Sequence, residues 1–157
     1  MARSEVNYTY EADLAYRGFG AAALTADAVV NASAATFGTA TGIDIGTLDK
    51  LTNAREGSQK NKLGAEGYDV VIVVESAVTP NADEEYVFNL YVGDTGDGAS
   101  GVLCGSTTVL GAGQYVISVD TNTLEKLDPD HNELALQLDV TGTGPSIVFA
   151  AWLAIKR

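Results

Sequence analysis

The segment Leu134-Ala135-Leu136-Gln137-Leu138-Asp139-Val140 decides the fold, because large apolar side chains occupy every second position. Successive side chains of an extended strand point to opposite faces, so the pattern predicts a strand that is buried on one face and wet on the other. The segment 86–93 alternates in the same way, with Phe88, Leu90 and Val92 on one face. Both patterns are typical of antiparallel sheets that pack on a core through a single face.

The chain contains eight strand candidates, these two segments included, which are separated by turn sequences rich in Gly, Asn, Asp and Pro. They are 28–32, 42–46, 69–78, 86–93, 102–110, 115–119, 134–140 and 146–154. This spacing predicts an all-β sandwich or barrel of about eight antiparallel strands. The chain has 157 residues, the size of one domain, and no linker divides it. We therefore predict an N-terminal arm over residues 1–23 and a single domain over residues 24–157.

Two of the strand candidates are apolar on both faces. Residues 70–74 are all Val or Ile, and the last strand has Trp152 and Val148 on one face and Phe149 and Leu153 on the other. Because a two-layer sandwich leaves one face of each sheet to water, these strands need additional cover. Either the aromatic arm, which carries Tyr8, Tyr10 and Tyr16, or another subunit would supply it, and the sequence leaves both alternatives open.

The charge is strongly negative and unevenly distributed. The formal net charge is −12, which disfavours nucleic acid and anionic membranes as partners, since both are bound through clustered Lys and Arg. Residues 49–67 hold four of the nine basic residues, among them Arg55, Lys60 and Lys62, whereas residues 63–125 hold ten acidic residues and no basic one. This separation suits electrostatic complementarity with a partner or between identical subunits.

The sequence offers no constellation for catalysis, a metal or a cofactor. The single histidine, His131, lies in a polar turn, and the single cysteine, Cys104, lies in a strand candidate, where a thiol is usually a small buried apolar group. One His and one Cys do not make a structural zinc site. The segments 93–98 and 128–133 are acidic turns, and a calcium site at either is the weaker interpretation. We expect no enzyme activity and no cofactor.

Two further interpretations concern binding and location. A carbohydrate-binding sandwich module would present aromatic platforms, for which Tyr91, Tyr115 and Trp152 are the candidates. The N-terminal sequence has no apolar run of signal-peptide length, so we expect the chain to be made in a cytosol and to stay soluble.

The segments that carry a family resemblance are 24–46, 68–74, 85–93 and 134–153, the last with Gly142-Thr143-Gly144-Pro145 before the final strand. Together they resemble the jelly-roll cement, or decoration, proteins of tailed bacteriophage capsids. The resemblance spans roughly residues 24–155, and its motifs are patterns of strands and turns.

The resemblance implies a jelly-roll sandwich with no active site. It implies a virion protein that binds the major capsid protein on the capsid exterior, often as a homotrimer, and bridges neighbouring capsomers. We expect Tyr8, Tyr10, Tyr16, Arg55, Lys60 and Lys62 to face partners, and Val148 and Trp152 to bury a sheet face. The alternatives are the carbohydrate-binding module and a structural protein associated with a tail or fibre.

Overall fold

The chain forms an all-β sandwich of two antiparallel sheets, as the alternating segments predict. The structure, a computed structural model, describes residues 15–30, 43–44, 66–79, 82–93, 101–129, 131 and 133–156. Within these residues the strands are β1 (Ala15–Arg17), β2 (Ala28–Val30), β3 (Ile43–Asp44), β4 (Gly67–Val78), β5 (Glu85–Gly93), β6 (Val102–Val109), β7 (Gly113–Asp120), β8 (Glu133–Thr141) and β9 (Ser146–Lys156). One short helix, α1 (Thr121–Leu127), joins β7 to β8.

Each sheet has four strand positions. The first sheet has the order β1-β9-β4-β7, and the second has the order β2-β8-β5-β6. The short strand β3 also pairs with β8, at residues 133 and 134, directly beyond the residues 136–138 that pair with β2. Strands β2 and β3 therefore occupy one strand position, and the sandwich has eight positions in all.

The core lies between the sheets and is filled by the side chains that the alternation singled out. Leu134, Leu136 and Leu138 of β8 are fully buried, and Phe88 of β5 meets Phe149 of β9 edge to face, with ring centroids 4.7 Å apart. Such aromatic pairs contribute about 0.5–1.5 kcal/mol beyond their buried area. The two sheets are therefore held together mainly by apolar contact.

The two sheets approach each other closely where β6 faces β7. A Cβ atom at Gly105 of β6 would lie 2.4 Å from the Cγ2 atom of Ile117 on β7. The missing side chain lets the branched residues of β7 pack directly against the β6 backbone. This contact brings the outermost strands of both sheets to the same side of the sandwich.

Each of the eight strand candidates contains a strand within its described residues, and two described elements were not predicted. The first is β1, which pairs with β9 through Ala15 and Arg17, and Leu24 continues this contact through a bridge to Ile147. The described part of the N-terminal arm is thus a strand of the sandwich itself. The second is α1, whose N-cap Asp120 accepts a hydrogen bond from the Thr123 N–H at 2.8 Å.

Candidate partner-binding surface

Eight residues were predicted to contact a partner or to bury a sheet face, and the structure describes three of them. Tyr8, Tyr10, Arg55, Lys60 and Lys62 lie outside the described residues. The three that can be placed are Tyr16 on β1 and Val148 and Trp152 on β9. They lie in the first sheet, and they do not share a face.

Tyr16 belongs to the domain's own core, which corrects the expectation that it faces a partner. Its side chain is 1% exposed, and its hydroxyl donates a hydrogen bond to the carbonyl oxygen of Leu134 at 2.9 Å. Burial raises the pKa of this phenol well above its ordinary value, so the group stays neutral. Tyr16 therefore connects β1 of the first sheet to β8 of the second.

Trp152 lies on the outer face of the first sheet, where a small second apolar cluster forms around it. The cluster contains Ala15, Val71 and Trp152, with Val73 and Ala154 packed against it. The exposed ring of Phe19 lies 6.0 Å from the Trp152 ring, measured between centroids. Trp152 is therefore buried on this face by its own chain, and Val148 on the same strand is half-buried.

The cover for this outer face comes from the chain itself. Val71 and Ala150 are fully buried and Trp152 is 3% exposed in a single copy. A neighbouring subunit is therefore not needed to bury these residues of the two strands that are apolar on both faces. The apolar character of β4 and β9 is consequently no argument for an oligomer.

The ends of the sandwich are acidic. At the end that holds the connections after β4, β6 and β8, Asp83 accepts hydrogen bonds from the backbone N–H and the hydroxyl of Thr143, at 3.3 and 3.1 Å. Glu85 is exposed beside it at the start of β5. At the opposite end, α1 carries Glu125 and its exposed cap Asp120. A basic partner would find carboxylates at either end.

One side of the sandwich carries no charge. It consists of residues 101–119, which form β6, the turn 110–112 and β7 up to the residue before Asp120, and we call it the uncharged margin. Leu110 in the turn is 91% exposed, and Leu103 and Val102 on β6 are 51% and 42% exposed. This surface was not predicted, although the sequence carries its signal: residues 98–119 contain no charged residue of either sign.

A shallow pocket of about 220 Å³ adjoins this margin at the turn. Ala77, Thr79, Glu84 and Tyr86 line one part of it, and Val109, Leu110 and Gly111 line the other. The hydroxyl of Tyr115 holds the turn by accepting from the Leu110 N–H at 3.0 Å and donating to the Gly111 carbonyl at 2.9 Å. The exposed Leu110 side chain is thus displayed on a braced turn.

The cysteine is placed as a structural group. The Cys104 thiol lies 3.3 Å from the carbonyl oxygen of Leu90 at a bulge in the β5–β6 pairing, and burial raises its pKa to about 12. At neutral pH the sulfur is therefore a thiol, which is a weak nucleophile. The prediction that Cys104 lies in a strand is confirmed.

The second acidic turn, at residues 128–133, is also structural. His131 is 1% exposed, although its polar sequence neighbours suggested an exposed turn. Its Nδ1 atom lies 2.5 Å from the carbonyl oxygen of Asp128, and its backbone N–H donates to the same oxygen at 3.3 Å. Among the described residues, no group of three or more His, Cys, Asp or Glu side chains is arranged to hold a metal ion. The other candidate calcium turn, residues 94–98, lies outside the described residues.

The aromatic platforms of a carbohydrate-binding module are not supported. Trp152 is almost fully buried, and Tyr115 is half-buried with its hydroxyl engaged in the turn. Tyr91 is half-buried on the outer face of the second sheet. A sugar platform needs an accessible aromatic face, and none of these three offers an open one.

Comparison with known proteins identifies no significantly similar protein. No protein-family model matches the chain, and no curated protein or solved structure shows significant similarity to it. In the part of the chain that the structure describes, every helix is too short or too polar to cross a bilayer.

Proposed function

We propose that this chain is a capsid decoration protein, a non-enzymatic structural component of a tailed-phage virion. It binds the outside of the capsid as a homotrimer and stabilises the shell by bridging neighbouring capsomers. The chain needs no cofactor, and its partners are the major capsid protein and its own copies. This proposal starts from the resemblance of residues 24–155 to jelly-roll cement proteins.

The observation that carries the proposal is the nested order of the strand pairs. In the first sheet β1 pairs with β9 and β4 pairs with β7, and in the second β2 pairs with β8 and β5 pairs with β6. The pairs therefore close around the β5–β6 hairpin from the chain ends inward, and successive pairs alternate between sheets. A long hairpin wrapped into a two-sheet sandwich has this order, which supports the jelly-roll interpretation.

A fold by itself hosts many functions, so the chemistry of the domain must also fit. Here the groups with catalytic potential are used for structure. The Cys104 thiol is held neutral by burial, and the buried His131 closes a turn through Asp128. The distinctive remaining features are acidic ends, an apolar margin and a basic segment at residues 49–67, all of which suit binding of other proteins.

The mechanism we propose is multivalent. Each copy would contact the capsid through the basic residues Arg55, Lys60 and Lys62 and through the arm residues Tyr8 and Tyr10. Each interface would be modest, but many copies of it on a closed shell would resist expansion together. No capsomer could separate without breaking several contacts at once. Strong binding at a single site is not required.

The direct test is binding of the purified protein to expanded capsids of the phage that encodes it. Reversing the charge of Arg55, Lys60 and Lys62 together to Glu should reduce occupancy on the particles, measured by co-sedimentation. The matched control is Lys126→Glu, which reverses a charge on the exposed face of α1. Failure of the wild-type protein to bind these capsids would overturn the proposal, and unchanged occupancy of the triple variant would exclude the basic segment.

The arm needs a separate test that spares the sandwich. Because residues 15–17 form β1, a deletion should remove residues 2–14 only. We expect this deletion to lower capsid occupancy while the melting temperature changes little. Full occupancy after the deletion would exclude Tyr8 and Tyr10 from the interface.

A further inference from the structure

The uncharged margin contains an edge strand of each sheet. Strand β6 is the last strand of one sheet and β7 the last strand of the other, and among the described strands no further strand pairs with either. Both strands are eight residues long. Each edge consequently presents backbone N–H and C=O groups on a single side of the molecule.

Natural proteins protect such edges with charged side chains, Pro, β-bulges or short strands. Residues 101–119 contain no charged residue and no Pro, so the β-bulge at Cys104 is the one such device on the margin. It also carries three exposed apolar side chains, of which Leu110 at 91% exposure is the most prominent. A weakly protected edge with exposed Leu and Val side chains indicates a surface that is covered when the protein functions.

The charge of the molecule indicates what covers it. With a net charge of −12, two copies repel each other wherever carboxylates face carboxylates. Asp83 and Glu85 at one end, and Asp120 and Glu125 beside the single basic Lys126 at the other, disfavour contact between copies through either end alone, and the margin reaches the first end only at its turn, next to Glu84. Along residues 101–119 identical copies can approach without like charges facing each other. A basic foreign partner would instead gain by docking on the acidic ends.

We propose that the uncharged margin is the surface through which copies of this chain associate, with Leu110 as its apolar anchor. The inference rests on the homotrimer of the proposed function and names its contact surface. Three margins would surround a common axis. The turn suits this role because Tyr115 braces it from within the same copy, so Leu110 is presented without a large loss of entropy on binding.

The test is the solution mass of the full chain, measured by light scattering over a range of concentration without capsids. The wild type should approach about 49 kDa, three times its 16.3 kDa. Leu110→Asp should weaken association by roughly 30-fold or more, as expected for an anchor residue at an interface. Leu127→Asp is the matched control, because Leu127 is also exposed, at 38%, but lies on α1 at the opposite end.

Hydrogen exchange supplies a readout that a merely structural role of Leu110 would not change. Amides of residues 102–109 should exchange more slowly at high wild-type concentration, and this dependence should vanish in Leu110→Asp. A wild type that stays at 16.3 kDa, or a Leu110→Asp variant with unchanged mass, would overturn the inference. Capsid binding is measured separately, so a monomer that still binds capsids refutes the margin alone, and a trimer that binds none refutes the proposed function.

Discussion

The hydroxyl of Tyr86 accepts a hydrogen bond from the backbone N–H of Ser146 at 2.7 Å and lies 2.5 Å from the carbonyl oxygen of Val78. Tyr86 is on β5 in the second sheet, whereas Ser146 and Val78 belong to β9 and β4 in the first. One buried phenol thus fastens three strands at the end of the sandwich where the chain crosses between sheets.

Removing this hydroxyl should be costly. We expect Tyr86→Phe to lower the free energy of unfolding by about 1–3 kcal/mol, because it leaves a backbone donor and acceptor without their partner. Urea unfolding would measure this loss in the free energy of unfolding, and the m-value should stay unchanged. The control is Tyr115→Phe, whose hydroxyl bonds the exposed turn at 110–111, where water replaces it. Equal losses in the two variants would contradict the special role of Tyr86.

The connection between β8 and β9 depends on a glycine for two reasons. Gly142 has a φ of +102°, and a Cβ there would lie 2.6 Å from the Glu84 Cα and 2.7 Å from the Asp83 carbonyl oxygen. Gly142→Ala should therefore combine about 1–2 kcal/mol of backbone strain with about 1–3 kcal/mol of overpacking. Gly20→Ala is the control, since Gly20 has a φ of +74° with nothing within 4 Å of the added atom. Similar thermal shifts in both variants would show that strain alone matters.

The strands were predictable from the sequence because their burial repeats locally with a period of two. The large apolar residues at alternate positions of 134–138 and 88–92 show this period in the sequence. These residues are buried in the structure, as expected. Strand β1 was not predictable in this way, since Ala15-Tyr16-Arg17 has no alternation and owes its conformation to pairing with β9. Helix α1 buries only Leu124, so its seven residues show no apolar stripe.

Placement of the site residues was less predictable, because it depends on contacts between distant segments. An aromatic residue in an N-terminal arm indicates that the arm packs on something, but only the Tyr16 hydroxyl bond to Leu134, 118 residues away, shows that this is its own core. Likewise, His131 lies among polar neighbours and is nevertheless buried. The polarity of neighbouring residues in the sequence does not reveal that a side chain in a turn is buried.

The cap of α1 should make part of the stability depend on acid pH. The hydroxyl and backbone N–H of Thr123 hold the pKa of Asp120 below its ordinary value. A lowered carboxyl pKa stabilises the fold above the unfolded pKa of about 3.9, and this contribution is lost as the pH falls through the folded pKa. Asp120→Asn, which caps without ionising, should therefore lose this acid dependence. Thermal melts of both proteins between pH 2 and 7 test it, and parallel curves would contradict the assignment.

Burial of Cys104 should make the native thiol unreactive. With a pKa of about 12, its thiolate fraction at pH 8 is roughly a thousandfold below that of an unfolded cysteine, so labelling by a thiol reagent should slow by at least that factor. Because the unfolded thiol ionises first as the pH rises, stability should also decline above about pH 8.5. The same protein in guanidinium is the control. Native labelling within tenfold of the unfolded rate would contradict the burial.

The outer face of the first sheet should take no part in assembly. Since a single copy buries Trp152 to 3% exposure, the emission of this only tryptophan should be blue-shifted and should not change with protein concentration. Phe19→Ala should shift the emission to longer wavelength and increase quenching by acrylamide, because the Phe19 ring lies 6.0 Å from the indole. Leu110→Asp is the control, since it should dissociate the copies and leave the emission as it was. A red shift on dissociation of the wild type would instead make Trp152 an intersubunit contact, and the margin would not be the surface that copies share.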